Sequence, residues 1–149
     1  MRVGIATDHG GFDLKQKLMA ELREAGHEVT DFGARQFTPT DDYPDCVVPL
    51  ARAVAAGQVE RGIAVCGSGV GACVAANKVA GVRACLIQDE FSARQGVEDD
   101  DMNIICFGAR VMDEPTCWKL TQLFLAAKFS GAERHVRRLS KVKAQEAKR

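Results

Sequence analysis

The chain has 149 residues, 46% hydrophobic and 27% charged, with twenty basic and twenty acidic side chains. That length and mixture fit one folded domain over residues 1–149 with room for a sizeable core, and zero formal net charge argues against nucleic acid or an anionic membrane as partner. No apolar run approaches the roughly twenty residues of a membrane span, no signal-peptide pattern opens the chain, and the six cysteines include no C-x-x-C pair, so no metal site is signalled and a reducing cytoplasm is expected.

Five short apolar runs read as strands: 2–7, 28–32, 62–66, 83–88 and 103–107. Between the first two, Leu14, Leu18, Met19, Leu22 and Ala25 recur at helical intervals, with Gly26 placed to stop the helix. Val47, Leu50, Ala51, Val54 and Ala55 repeat the pattern before Gly57. A third helix is expected over about 70–80 and a short fourth from about 90. A fifth is expected after Pro115, a good first-turn residue. The sixth, about 133–149, is basic, with seven bases against two acids from Glu133. It is read as part of the same domain. An acidic loop, Asp89 to Asp101, with six acids and one Arg, is its natural counterpart in this chain or another. Apolar strands alternating with helices argue an α/β fold, a three-layer α/β/α sandwich around a five-stranded parallel sheet.

In such a sheet, ligands gather outside the carboxyl ends of the strands. The third strand ends in Cys66-Gly67-Ser68-Gly69-Val70-Gly71. Bare backbone N–H groups in that turn favour an anion, and the helix start behind them favours the thiolate of Cys66. The bland reading is that Cys66 is a core cysteine, as the other five read, and that the glycines form an unliganded turn. The strand-end position of Cys66 against the glycines favours a functional role. The spacing fits neither a dinucleotide fingerprint nor a phosphate loop with its Lys. Asp8 and His9 end the first strand before two glycines. Asp8 could be a helix cap, while His9 is the side chain best suited to proton transfer near neutrality. Ser68 could bond a substrate oxygen or cap the next helix. Tyr43, in Thr40-Asp41-Asp42-Tyr43-Pro44, could line a pocket or simply pack. Arg134 and Arg138 share a helix face that suits a phosphate monoester or faces solvent.

These motifs together resemble the type B ribose-5-phosphate isomerase family, which includes the galactose-6-phosphate isomerase subunits. The resemblance runs from Val3 to about Leu139 and adds Asn77-Lys78, Phe107-Gly108-Ala109-Arg110 and His135 to the residues above. It implies a Rossmann-like subunit, usually a homodimer or dimer of dimers, with sites built from both chains and no metal or cofactor. On that model Cys66 moves the proton between C1 and C2 of a sugar phosphate. Ser68 and the N–H groups of Gly67, Gly69 and Gly71 stabilise the enediolate, Asp8, His9 and Tyr43 line the sugar pocket, and Arg110, Arg134 and Arg138 take the phosphate. One stretch departs: Asp99-Asp100 stands where the family's pentose phosphate enzymes carry His-Asn, the His credited with ring opening and the Asn with a substrate hydroxyl.

Ribose 5-phosphate is therefore the default substrate, with Asp99, His9 or water left to open its furanose ring. A tetrulose 4-phosphate, which cannot close that ring, or a hexose 6-phosphate is the alternative. A non-catalytic sugar-phosphate-binding protein is the alternative of another class, against which the intact Cys66 argues. A thiol oxidoreductase would need a resolving cysteine nearby.

Overall fold

The apolar runs become strands because their side chains can be buried on both faces of one sheet. A computed structural model describes residues 1–148. Its strands are β1 (Arg2–Thr7), β2 (Glu28–Asp31), β3 (Arg61–Cys66), β4 (Ala84–Leu86) and β5 (Ile104–Gly108). Interleaved are α1 (Phe12–Glu24), α2 (Tyr43–Ala55), α3 (Val70–Ala76), α4 (Glu90–Asp100) and α5 (Glu114–Ala126), and α6 (Glu133–Glu146) follows. All pairings are parallel, in the order β2-β1-β3-β5-β4. The architecture is the expected Rossmann-like α/β/α sandwich.

The two-residue period of the strands splits the core in two. Val3, Ile5, Ile63, Val65, Ile105 and Phe107 face α1, α4 and α5, meeting Leu18, Val97 and Phe124. Ala6, Ala64, Ile104 and Cys106 face α2 and α3, meeting Leu50, Val54 and Ala76. Each large side chain so buried is stabilising by about 1.5–3 kcal/mol. Small residues on the second face let α2 and α3 lie close to the sheet.

Element lengths differ from expectation at β4, which covers three residues in place of the six of the run 83–88, and in two helices. Helix α3 stops at Ala76, because the Asn77 side chain turns back onto β4, donating to the Ala84 carbonyl at 2.8 Å and accepting its N–H at 2.9 Å. The acidic stretch is a helix rather than a loop: α4 runs eleven residues before Asp101 ends it at a φ of 50°.

Strand order reverses beside β1. The chain leaves β1 for β2 on one side and later reaches β3 on the other, so the turns after β1 and β3 diverge and leave a crevice between them.

Candidate active site

The turns after β1 and β3 close on a cavity of about 340 Å3 lined by Asp8, His9, Gly10, Tyr43, Cys66, Gly67, Ser68, Gly71, Arg110 and Val111. Eight of the expected site residues thus meet at one place. A second cavity, of about 380 Å3 between α6 and the β4 end, contains none of them.

Cys66 is the last residue of β3 and is 5% exposed. Its Sγ accepts the Gly69 N–H at 3.1 Å, which fixes the sulfur at the mouth of the turn. Gly69 makes that bond at a φ of 80°, and a β-carbon there would stand 2.6 Å from Leu86 Cδ1 and 2.8 Å from the Phe107 carbonyl carbon. No side chain fits. Gly69 itself does not line the cavity, so its N–H serves the sulfur rather than a ligand.

The turn after β5 is laced to this one. The Ala109 N–H donates to the Cys66 carbonyl at 3.0 Å and the Arg110 N–H to that of Gly67 at 2.9 Å. The Arg110 guanidinium consequently lies along Gly67, where a β-carbon would come within 3.4 Å of Nε. Ser68 is exposed, and its Oγ accepts the Val70 N–H at 3.3 Å, the helix-cap geometry.

On the β1 side, Asp8 is 7% exposed and caps a short 3-10 turn, accepting the Gly10 N–H at 2.9 Å. His9 is held by a residue that the motif reading passed over. Asp41 Oδ1 accepts the His9 backbone N–H at 2.9 Å and lies 2.7 Å from its Nδ1. That hydrogen bond, helped by the charges of Asp8 and Asp41 and opposed by partial burial, raises the His9 pKa above 6.5. Asp41 stands in the quoted Thr-Asp-Asp-Tyr-Pro stretch, but nothing local indicates which distant side chain it will meet. Asp8, His9 and Asp41 also bring metal-type ligand atoms within 4.8 Å of one another. The Nδ1–carboxylate contact already pairs two of the three.

Four expected residues lie elsewhere in the chain. Helix α4 starts beyond the carboxyl end of β4 and rises about 16 Å over eleven residues, which carries Asp99 and Asp100 towards the opposite end of the sheet. There Asp99 accepts from Gln95 Nε2 at 2.8 Å and sits 3.3 Å from Nε2 of the buried His135. The acidic and basic segments therefore meet within one chain. Asp100, Arg134 and Arg138 are exposed and do not line the cavity.

A model of the family described as Ribose/Galactose Isomerase matches residues 3–142. Ribose-5-phosphate isomerase B of Escherichia coli is 38% identical over 148 residues, 99% of this chain and 98% of that one. D-erythrulose-4-phosphate isomerase of Pectobacterium atrosepticum is 34% identical over 134 residues, 88% of this chain and 86% of the other. The crystal structure of ribose-5-phosphate isomerase B from Mycoplasma genitalium with bound ribulose-5-phosphate superposes with a TM-score of 0.94 at 36% identity, covering 99% and 97%. Fold, cavity and kinship define a sugar-phosphate isomerase, an aldose–ketose enzyme. The chain belongs to the ribose/galactose isomerase family.

Proposed function

We propose that this enzyme interconverts ribose 5-phosphate and ribulose 5-phosphate through a cis-enediolate, with Cys66 as the base. The observation that carries this reading is the Cys66 sulfur, held by the Gly69 N–H, in one cavity with Asp8, His9, Tyr43 and Arg110. A thiolate there takes the C2 proton of the open aldose and returns it to C1. The charge that develops on the neighbouring oxygen needs donors, and preorganised N–H groups are worth several kcal/mol in that role. Gly67, Gly71 and the Ser68 hydroxyl line the cavity and fill it. Asp8, His9 and Tyr43 bind the sugar hydroxyls, and Arg110 begins the phosphate site.

Arg134, Arg138, Asp99 and Asp100 enter this reading from a second copy of the chain, in a homodimer or dimer of dimers. The exposure of Arg134, Arg138 and Asp100, and the absence of all four from their own cavity, support it, as does the family resemblance.

A tetrulose 4-phosphate is the second reading, and the Asp99 contacts favour it. Asp99 accepts from Gln95 Nε2 and lies 3.3 Å from His135 Nε2, so its carboxylate faces these side chains and not a substrate oxygen of its own cavity, and a substrate that cannot close a furanose needs no ring-opening group. The erythrulose-phosphate relative points the same way.

Aldose–ketose turnover on ribose 5-phosphate and on a tetrulose 4-phosphate, with Cys66→Ala as the blank, tests both. Efficient use of the ribose ester supports the first reading and preference for the tetrulose ester the second. Activity surviving in Cys66→Ala removes Cys66 as the base. Binding without proton exchange in the unmodified chain would leave a sugar-phosphate-binding protein.

A further inference from the structure

We propose that Asp41 is a positioning residue that holds His9 with Nδ1–H on its carboxylate and Nε2–H turned to use, so that His9 donates the proton that opens a furanose substrate. The inference rests on the isomerase reading above and assigns the ring-opening acid that it leaves open.

Two bonds from one carboxylate oxygen fix the histidine: the backbone N–H at 2.9 Å and Nδ1 at 2.7 Å. The second oxygen of Asp41 is buried without a protein hydrogen-bond partner, so the side-chain hydrogen bonds of this carboxylate go to His9 alone. Phe37, from the same loop, meets the imidazole edge-on at a centroid distance of 6.4 Å and is itself braced by Phe12 at 6.2 Å. The ring therefore has one orientation and one polar atom left, Nε2, on a residue that lines the cavity.

The other groups around the cavity are unsuited to the task. Ser68 Oγ accepts the Val70 N–H, the Tyr43 ring is seated against Gly71, and the Arg110 guanidinium lies along Gly67. Cys66 is occupied with the carbon-bound proton. Asp8 accepts the Gly10 N–H and serves His9 as a nearby negative charge. Of the charged groups near His9, Asp41 and Asp8 favour its proton, while Arg110, Cys66 and Tyr43 line the same cavity. The raised His9 pKa agrees with this balance.

The step closes without an outside reactant. As the C1–O4 bond of the furanose breaks, its electron pair leaves with O4, which takes the Nε2 proton. The anomeric hydroxyl proton passes to water as the C1 carbonyl forms, and the neutral imidazole regains a proton from water. Because the acid form is the active one, activity on a cyclic aldose falls as pH rises through the His9 value.

The test compares the unmodified enzyme with Asp41→Asn in three measurements: a histidine-resolved NMR titration, aldose-to-ketose turnover of ribose 5-phosphate, and solvent deuterium exchange at C1 of ribulose 5-phosphate. The last substrate is open-chain and needs proton transfer but no ring opening. Asp41→Asn should move the His9 midpoint and the falling limb of the turnover profile to lower pH. It should also cut ribose 5-phosphate turnover at pH 8 by about tenfold while changing deuterium exchange less than twofold. Equal losses in turnover and exchange, or an unmoved limb, overturn the proposal. Should Asp41→Asn not fold, the titration of the unmodified enzyme decides: a His9 midpoint above 6.5 supports the pairing, and one at or below it overturns it. An unmodified enzyme that neither turns over nor exchanges removes the isomerase reading itself, which is a distinct failure.

Discussion

A β-carbon on Gly71 would stand 2.7 Å from Cζ of Tyr43, so the tyrosine ring occupies the space that any side chain at position 71 would need. The glycine three residues past Ser68 is therefore a seat for a residue from α2, and this contact brings Tyr43 to the cavity wall. Gly71→Ala should push the ring away, at an overpacking cost of about 1–3 kcal/mol, and reduce kcat/KM by about tenfold. In a Tyr43→Ala background the same change should cost little more, because the two side chains share one contact. Additive losses in that double-mutant cycle would separate the roles of the two positions.

Lys15 is fully buried in α1 with its Nζ 2.8 and 2.9 Å from the two oxygens of Asp31, and it also donates to the Ala34 carbonyl. The pair ties α1 to the end of β2 and to the loop that leads to Asp41. Lys15→Met leaves the Asp31 charge without its partner, a loss of about 3–5 kcal/mol for a buried pair. Lys15→Met with Asp31→Leu should recover part of that loss, short of the hydrogen bond that Asp31 accepts from the Gly33 N–H at 2.8 Å. Urea unfolding of the unmodified chain and the two variants measures this, and a loss below about 1 kcal/mol in Lys15→Met would show the pair to be structurally idle.

Cys73 has a pKa lowered to about 6 by a hydrogen bond with the Cys106 thiol, then by the Leu86 backbone and Asn77, against the opposing effect of burial. The same contact pushes Cys106 up, so the proton of the pair stays on the deeper sulfur. The folded-state value lies below the ordinary 9.0, so the stability this thiolate contributes is present above pH 9 and is lost as pH falls through about 6. In a Cys66→Ala background, iodoacetamide should label Cys73 with a rate that rises through pH 6, while Cys117, pushed up to about 12, stays silent. Mass spectrometry of the peptides reads this. A Cys73 rate that is flat between pH 5 and 8 would mean that the sulfur pair does not share a proton in this way.

Much of the molecule is legible without coordinates. Val3 and Ile5 alternate with Gly4 and Ala6, Leu14, Leu18 and Leu22 recur by four, and Gly26 and Gly57 stop the helices that precede them at φ values of 86° and 71°. These patterns follow from the strand pleat and the helical turn, which act over a few residues, so local sequence specifies them. The placing of Asp8, His9 and Cys66 at strand ends follows in the same way, because parallel strands put all their carboxyl ends on one side. Pairings across long stretches of chain follow a different logic. Asp41 reaches His9 across 32 residues, Asp99 turns to His135 instead of a cavity, and Lys15 is buried against Asp31 at a position whose residue type ordinarily marks a surface. No local period encodes such contacts. They depend on where each loop lands once the sheet order β2-β1-β3-β5-β4 has packed, and a charged side chain takes whichever partner that packing brings within 3 Å or so of it.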